Sequence, residues 1–426
     1  MIMKGKCMKK IYILMFATCL LLAGCQQIDT REENSNAKES KVQEIVIPLY
    51  SKEDDEKAAE YIINQYGIMK EEAAPKVILD CDMTYLGDDA MCMCILAQAD
   101  TLGLIDLLGV TIAGGNNFVA YGANAALNQL ERIGREDIPV LLGTDIPING
   151  IRNMDEQAKV VGRIDRWGAM YHFDEYIEPA MYHDLGSYYE RKWGYSQTDP
   201  QQQNAVDFMI DQVNANRGEV TIIATGAATN VAMACQRDDS FASNTAGIVY
   251  MGTIIEEQGT FTPYADFNCF YDAEAYDICL NSAFPTQTII PHDAAKTAVL
   301  NKAVYDLMDA KDDTLISNLW IENQYSLYRR DTNYKLNCSD AIAAVVFLNP
   351  DVTSDERMLA LEINTDTTNP EYGHTSVVGT NGKLKVIMAV NTDMYWDFVT
   401  DIICHMQYKS DYNYSYFLNL NNQVEN

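Results

Sequence analysis

Short apolar runs alternate with segments of helical periodicity along most of this chain, and few folds accommodate that order. The apolar runs have the length of strands, and the predicted strands are 77–79, 107–112, 140–142, 219–224, 248–251 and 288–290. The segments between them predict helices at 88–98, 120–133, 205–213 and 230–236. Strands that alternate with helices favour a doubly wound α/β fold, in which a mostly parallel sheet is flanked by helices. Ligands bind at the carboxyl ends of the strands in such sheets, so polar residues directly after a strand are candidate site residues.

The length of 426 residues is compatible with one large α/β domain that carries insertions. We predict that this domain covers 75–408 and that 409–426 form a C-terminal tail. Residues 151–203 lose the periodic pattern and are rich in aromatic residues, which indicates an insertion over the site. Toward the C-terminus, the pattern predicts an Asn381-Gly382 turn, a strand at 383–390 and a helix at 394–406.

The N-terminus has the pattern of an export signal. Four lysines precede an apolar run at 11–22, which is shorter than the roughly 20 residues that span a bilayer. The run leads into Leu-Ala-Gly-Cys, which resembles a bacterial lipobox with Cys25 as the lipidated residue, although an ordinary signal peptide ending near a cysteine is the alternative. We therefore expect a signal peptide at 1–24 and, at 25–74, a lipidated flexible tether with a possible short helix. This pattern predicts an exported, extracytoplasmic protein that reaches the bacterial cell membrane through its lipid anchor only.

The charge of the chain argues against nucleic acid as a partner. There are 31 Lys and Arg against 61 Asp and Glu, and loss of the four lysines in 1–24 would change the net charge from −30 to 27 − 61 = −34. Such a surface repels phosphate backbones and anionic lipids. The cysteines show no zinc-binding spacing. We expect Cys92 and Cys94 to be buried in an apolar helix, whereas the sequence leaves free thiols and disulfides equally open.

Four carboxylates crowd the segment DCDMTYLGDD, which covers residues 80–89. Their mutual repulsion at the end of a strand is costly unless a cation neutralises it. A set of oxygen ligands favours calcium or magnesium over zinc. The alternative interpretation is a helix N-cap followed by a solvated acidic turn.

This segment resembles the calcium signature of the inosine–uridine-preferring nucleoside hydrolases, in the longer form DxDxxxDxDD. Leu86 stands where that form has another Asp, and Thr84 stands where it has Gly. The resemblance continues through GGN at 114–116 with Asn124, IPVLLGTDIPI at 138–148, the segments 205–234 and 262–275, and Asp340 before Ala-Ile-Ala. It therefore spans most of the predicted domain.

The resemblance implies a calcium-dependent enzyme that hydrolyses the N-glycosidic bond of a nucleoside or related riboside. The implied calcium ligands are Asp82, Asp89, Asp340 and the backbone carbonyl of Thr225, and Asp80 and Asp88 would lie beside the ion. Asp82 would be the general base that accepts a proton from water. The implied ribose-binding residues are Asp88, Asn116, Asp266 and Asn268. The resemblance also implies a homodimer or homotetramer.

Some positions depart from the family pattern, and for this reason the sequence does not determine which base and which sugar the substrate contains. Asp266 replaces a Glu, Thr260 replaces an Asn, and Ser339 stands where pyrimidine-accepting members have a His. Ser is a poor acid for protonating a leaving group. The insertion offers aromatic candidates for binding a base, which are Trp167, Tyr171, His172 and Trp193, and His292 follows a predicted strand.

Two other functions fit parts of the sequence. VILDCDMT resembles the start of a haloacid-dehalogenase-type phosphatase, with Asp80 as nucleophile, but we find no convincing later Lys or acidic pair. A non-catalytic lipoprotein that binds nucleosides or sugars would explain the changes at Thr260, Asp266 and Ser339. A general base beside a metal, as implied for Asp82, favours the enzyme.

Overall fold

The computed structural model describes residues 52–68, 73–85, 87–162, 164, 169, 195–304, 306, 333 and 335–403. The predicted signal peptide, Cys25, most of the tether and the C-terminal tail lie outside these residues. The same is true of Leu86 and of the four aromatic candidates Trp167, Tyr171, His172 and Trp193.

The predicted alternation of strands and helices is present. The strands are β1 Lys76–Cys81, β2 Asp106–Ile112, β3 Val140–Leu142, β4 Val220–Ala224, β5 Gly247–Met251, β6 Gln287–Ile290, β7 Val299–Leu300, β8 Leu336–Asn337, β9 Thr353–Ile363 and β10 Thr375–Val390. The helices are α1 Lys52–Tyr66, α2 Asp88–Thr101, α3 Val119–Arg132, α4 Met154–Val161, α5 Ala205–Ala215, α6 Thr229–Arg237, α7 Phe241–Asn244, α8 Phe267–Tyr271, α9 Ala273–Asn281, α10 His292–Ala295, α11 Ser339–Leu348 and α12 Thr392–Ile403.

Eight strands form one sheet in the order β3-β2-β1-β4-β5-β6-β10-β9. Every neighbouring pair is parallel except β10 with β9. The chain runs outward from β1 to β3 and then returns to place β4 on the other side of β1. The gap between the carboxyl ends of β1 and β4 is therefore the switch point of a doubly wound sheet, where ligands bind.

Helices cover both faces of the sheet and bury two apolar clusters. One cluster includes α2, α11 and α12, and the other includes α5, α6, α8 and α9. Helix α2 is apolar all round and almost entirely buried, which is typical of a helix packed between others. Cys92 and Cys94 lie buried within it, as expected, and both are free thiols.

The C-terminal part differs from the prediction. The Asn381-Gly382 turn is wrong, because both residues lie within the long strand β10. Gly379 pairs with Ala360 and Leu384 pairs with the adjacent Leu359, so the residues between them bulge from the ladder. A side chain at Gly382 would begin 1.9 Å from the Leu359 carbonyl oxygen, so Gly permits this close approach. The partner strand β9 was not predicted.

Helix α1, which the sequence analysis placed before the domain, packs against it. Ile62 is fully buried in the same apolar cluster as α2 and α12. The hydroxyls of Tyr61 and Tyr66 donate to Asp401 on α12 at 3.3 and 2.5 Å. The predicted domain start at 75 therefore leaves out a helix that contributes to the core. No helix in the described part of the chain is long and apolar enough to cross a membrane.

Candidate active site

Three carboxylates meet beside the carboxyl end of β1. Asp88 and Asp89 form the first turn of α2, Asp340 lies in the first turn of α11, and these two helices pack together. One carboxylate oxygen from each residue lies within 4.8 Å of the others. Asp89 and Asp340 are buried, and Asp88 is partly buried. This trio contains two of the predicted calcium ligands together with Asp88, which the resemblance placed next to the ion.

Burial and repulsion make the ionised forms of these carboxylates costly. Burial and the charge of Asp88 raise the pKa of Asp89 to about 7. Burial and the charges of Asp88, Asp89 and Asp82 raise the pKa of Asp340 well above its ordinary value. A divalent cation would relieve both effects, and the oxygen donors suit a hard cation. The residues present therefore fit calcium or magnesium.

Asp82 lies directly after β1 and only 1% of its surface is exposed. Its Oδ2 accepts a hydrogen bond from the backbone N–H of Asn116 at 2.7 Å, and its Oδ1 accepts one from Asn116 Nδ2 at 3.2 Å. Burial, followed by the charge of Asp89, raises the pKa of Asp82 well above its ordinary value. A side chain at Gly115 would begin 2.0 Å from Asp82 Oδ2, so this glycine lets the loop after β2 close over the carboxylate.

Asn116 and Thr225 connect the neighbouring strands to the acidic trio. Asn116 Nδ2 lies 3.5 Å from Asp89 Oδ2, so one amide contacts both Asp82 and Asp89. Thr225 follows β4, and its hydroxyl donates to Asp89 at 2.9 Å. The Thr225 carbonyl, a predicted calcium ligand, accepts a hydrogen bond from Asn268 Nδ2 at 2.7 Å. The switch point thus brings Asp82, Asn116, Thr225 and Asn268 together.

Asp80 lies at the carboxyl end of β1, inside the fold. It is fully buried, and its Oδ1 accepts hydrogen bonds from Thr111 at 2.7 Å and Asn230 at 2.9 Å. Burial raises its pKa to about 6, although the two hydrogen bonds oppose that rise. The sequence pattern alone does not predict Thr111 or Asn230 as partners of Asp80. Asn230 lies in the segment 205–234, whose family resemblance could have marked it as a candidate site residue.

Asp266 occupies a position that sequence reasoning did not anticipate. It is the N-cap of α8, where its Oδ1 accepts from the Cys269 N–H at 2.9 Å. Its Oδ2 accepts from the Thr253 N–H at 2.8 Å. Both oxygens of this predicted ribose-binding residue therefore already bind backbone groups.

The remaining candidates lie on three different parts of the chain. The His292 N–H donates to the Thr253 carbonyl at 2.9 Å, and burial raises the pKa of Asp266 above its ordinary value. Ser339 is buried at the start of α11, and its backbone hydrogen-bonds to Asp88. Thr260 is exposed on the loop that joins β5 to α8.

The comparisons with known proteins agree with this architecture. The model of the family "Inosine-uridine preferring nucleoside hydrolase" matches residues 77–397. The pyrimidine-specific ribonucleoside hydrolase RihB of Escherichia coli is 26% identical over 340 residues, which cover 77% of this chain and 96% of the relative.

Solved structures show the same fold. A plant nucleoside hydrolase matches with a TM-score of 0.61 at 22% identity, over 78% of this chain and 99% of the plant chain. A purine-preferring ribonucleoside hydrolase from Gardnerella vaginalis matches with a TM-score of 0.59 at 19% identity, over 77% of this chain and 98% of the other. These likenesses confirm the predicted mostly parallel α/β fold, and the family match covers the candidate site residues from Asp80 to Asp340. This chain therefore belongs to the inosine–uridine-preferring nucleoside hydrolase family, whose members hydrolyse the N-glycosidic bonds of nucleosides.

Proposed function

We propose that this protein hydrolyses the N-glycosidic bond of a nucleoside or related riboside, with calcium at the acidic trio and Asp82 as general base. The observation that carries the proposal is the position of Asp82. This carboxylate is buried within electrostatic reach of Asp88, Asp89 and Asp340, outside the trio whose oxygens lie within 4.8 Å of one another, and it is oriented by two hydrogen bonds from Asn116.

A cation bound by Asp89, Asp340, the Thr225 carbonyl and Asp82 or Asp88 would bind sugar hydroxyls and lower the pKa of a water molecule. Asp82 accepts the proton from the attacking water. Water adds to the anomeric carbon while the carbon–nitrogen bond breaks, and the departing base takes the electron pair of that bond. The base is then protonated from solvent, and Asp82 releases the proton of the attacking water to solvent. Positive charge develops on the sugar in this step, and the surrounding carboxylates stabilise it. A Ser hydroxyl is a poor acid, so we propose no proton donor at Ser339.

The geometry opposes the phosphatase alternative. A phosphatase of that type would use Asp80 as its nucleophile, and a nucleophile must reach the substrate. Asp80 is fully buried, and its Oδ1 is engaged inside the fold by hydrogen bonds from Thr111 and Asn230.

Hydrolysis by the purified protein tests the proposal. A panel of purine and pyrimidine ribonucleosides would be incubated with the protein, and the released base and reducing sugar would be measured. We expect release of both products, its loss with EDTA and its recovery when calcium is restored. Magnesium in the same titration identifies the preferred ion. Tight nucleoside binding without product would instead support the non-catalytic binding protein.

The location and assembly of the protein are further proposals, which rest on the sequence. We propose that the chain is exported and lipid-anchored through Cys25, on the pattern of lysines, apolar run and Leu-Ala-Gly-Cys. Replacing Cys25 with Ser should move the protein from the membrane fraction to the soluble fraction and abolish labelling by a fatty acid. We also propose a homodimer or homotetramer, and a monomeric mass in light scattering would contradict it.

A further inference from the structure

Helices α6 and α9 pack against each other on one face of the sheet, and each carries a cysteine in its last turn. Cys235 lies near the end of α6, and Cys279 lies near the end of α9. The opposite ends of the two helices are joined by a hydrogen bond, because the Thr229 hydroxyl donates to Asp272 Oδ2 at 2.7 Å. The helices therefore run side by side in the same direction, with the cysteines at their carboxyl ends.

The two thiols contact each other. The Cys279 thiol donates a hydrogen bond to the sulfur of Cys235. Cys279 Sγ also lies 4.0 Å from the carbonyl oxygen of Ala228, the residue that precedes α6. Cysteines whose side chains point toward each other meet the first geometric requirement for a disulfide.

The two thiols differ in exposure and acidity. Cys279 is fully buried, whereas Cys235 is partly exposed and is the one cysteine in the described part of the chain that is not buried. The hydrogen bond from Cys279 lowers the pKa of Cys235, and burial raises the pKa of Cys279 well above its ordinary value. An accessible thiol of lowered pKa beside a second cysteine is the arrangement of an attacking thiol and its resolving partner.

We propose that Cys235 and Cys279 form a dithiol that small-molecule disulfides, such as oxidised glutathione, convert into a disulfide between α6 and α9. This inference does not depend on the proposed function. It assigns the two cysteines a place outside the candidate site, at the ends of the helices that face away from Asp272 and Thr229.

The reaction is two successive thiol–disulfide exchanges. The Cys235 thiolate attacks one sulfur of oxidised glutathione, the sulfur–sulfur bond of glutathione breaks, and one glutathione leaves and takes up a proton. Cys279 then loses its proton to solvent and attacks Cys235 Sγ, which displaces the second glutathione. The two protein thiols are oxidised by two electrons, and the glutathione disulfide is reduced to two thiols.

Mass spectrometry of the purified protein after incubation with oxidised glutathione tests the pairing. We expect the wild type to lose the mass of two hydrogen atoms and to keep no glutathione. Digestion with trypsin and chymotrypsin separates Cys279 from Cys269, and it should yield one peptide pair that links Cys235 to Cys279. A linkage between other cysteines, or no loss of mass, would overturn the proposal.

Cys279→Ala tests the order of attack, because it removes the resolving thiol. We expect this variant to accumulate glutathione bound to Cys235, whereas Cys235→Ser should neither bind glutathione at Cys279 nor form the crosslink. Cys94→Ala, a change in buried α2, is the control and should form the crosslink as the wild type does. Glutathione that remains on Cys235 of the wild type would show that Cys279 does not resolve it, and would contradict the pair.

Thermal unfolding gives a second measurement of the crosslink. A disulfide between residues 235 and 279 would close a loop that contains β5 and α8, and would restrict the unfolded chain. We expect the melting temperature of the oxidised wild type to exceed that of the reduced wild type by roughly 5 °C, and Cys235→Ser to show no such difference. An equal shift in both proteins would attribute the effect to other cysteines and would overturn the assignment.

Discussion

Asn116 contacts two carboxylates to which the proposed reaction gives different tasks. Its backbone and side chain orient Asp82, the proposed base, and its side chain also reaches Asp89, a proposed metal ligand. Replacing Asn116 with Ala removes the side-chain donor and leaves the backbone donor. We expect kcat/KM to fall by about 10- to 100-fold, because a misplaced base is a less effective one.

Asn117→Ala is the matched control for that variant. The Asn117 amide donates to the backbone carbonyl of Met83 at 3.1 Å, whereas the Asn116 amide donates to the carboxylate of Asp82. Steady-state kinetics should show a much smaller loss for Asn117→Ala. Equal losses in the two variants would mean that the loop as a whole, rather than the Asn116 side chain, supports activity.

The carboxyl group of Asp272, which is not part of the acidic trio, should make the free energy of unfolding depend on pH. It is fully buried as the N-cap of α9, and burial raises its pKa to about 6 despite hydrogen bonds from Thr229, Ile148 and Ala275. A raised carboxyl pKa means that the folded state binds the proton more tightly, so its contribution to stability is greatest below pH 4. About 3 kcal/mol of that contribution is lost as the pH rises through 4 to 6.

Denaturant unfolding of the wild type and Asp272→Asn between pH 4 and 7 measures this contribution. The free energy of unfolding should fall less with rising pH in the variant than in the wild type. The same slope in both proteins would show that Asp272 does not titrate in this range.

At the scale of elements, α1 is the clearest addition to the predicted domain. Replacing Ile62 with Ala removes a fully buried side chain between α1 and the core, and should lower the free energy of unfolding by about 2–5 kcal/mol. Glu60→Ala, an exposed change on the same helix, should change it by less than about 0.5 kcal/mol. If urea unfolding gave the same free energy of unfolding for Ile62→Ala and Glu60→Ala, α1 would not unfold together with the rest of the domain.

The elements that the sequence predicted are those with strong apolar patterns. Of strands β1 to β6, all except the short edge strand β3 have a neighbouring strand on both sides. Because such strands are buried on both faces, their sequences are mostly continuous apolar runs. Strand β9 lies at the opposite edge, and residues such as Asp355, Glu356 and Arg357 interrupt its pattern. An edge strand of this kind gives a weak signal, and a bulge such as that near Gly382 depends on the partner strand.

The same limit applies to the site. Asp80, Asp82, Asp88 and Asp89 lie in one segment, so their clustering could be predicted from spacing. The contacts of Asp80 with Thr111 and Asn230, and the contact of Asp266 with Thr253, depend on which strands become neighbours and on local backbone conformation. The N-cap role of Asp266 could not be predicted either, because it depends on the residue at which α8 begins.

At the scale of the whole molecule, the acidic trio should link metal binding to stability. Calcium at 100 times its Kd should stabilise the wild type by about 2.7 kcal/mol. Asp340→Asn should lose most of this stabilisation, yet be more stable than the wild type in EDTA, because it removes one of three repelling carboxylates.

Thermal unfolding with calcium and with EDTA measures both effects, and Asp106→Asn, an exposed change on β2, is the control. The control should respond to calcium as the wild type does. If calcium stabilised the wild type and Asp340→Asn equally, Asp340 would not be a metal ligand.

The kcat of Asp82→Asn tests the central claim most directly. This variant keeps the size and shape of the side chain but removes the group that accepts the proton from water. We expect kcat on the best nucleoside to fall at least about 100-fold, with nucleoside binding retained. A variant that keeps more than about a tenth of the wild-type kcat would contradict the role of Asp82 as general base.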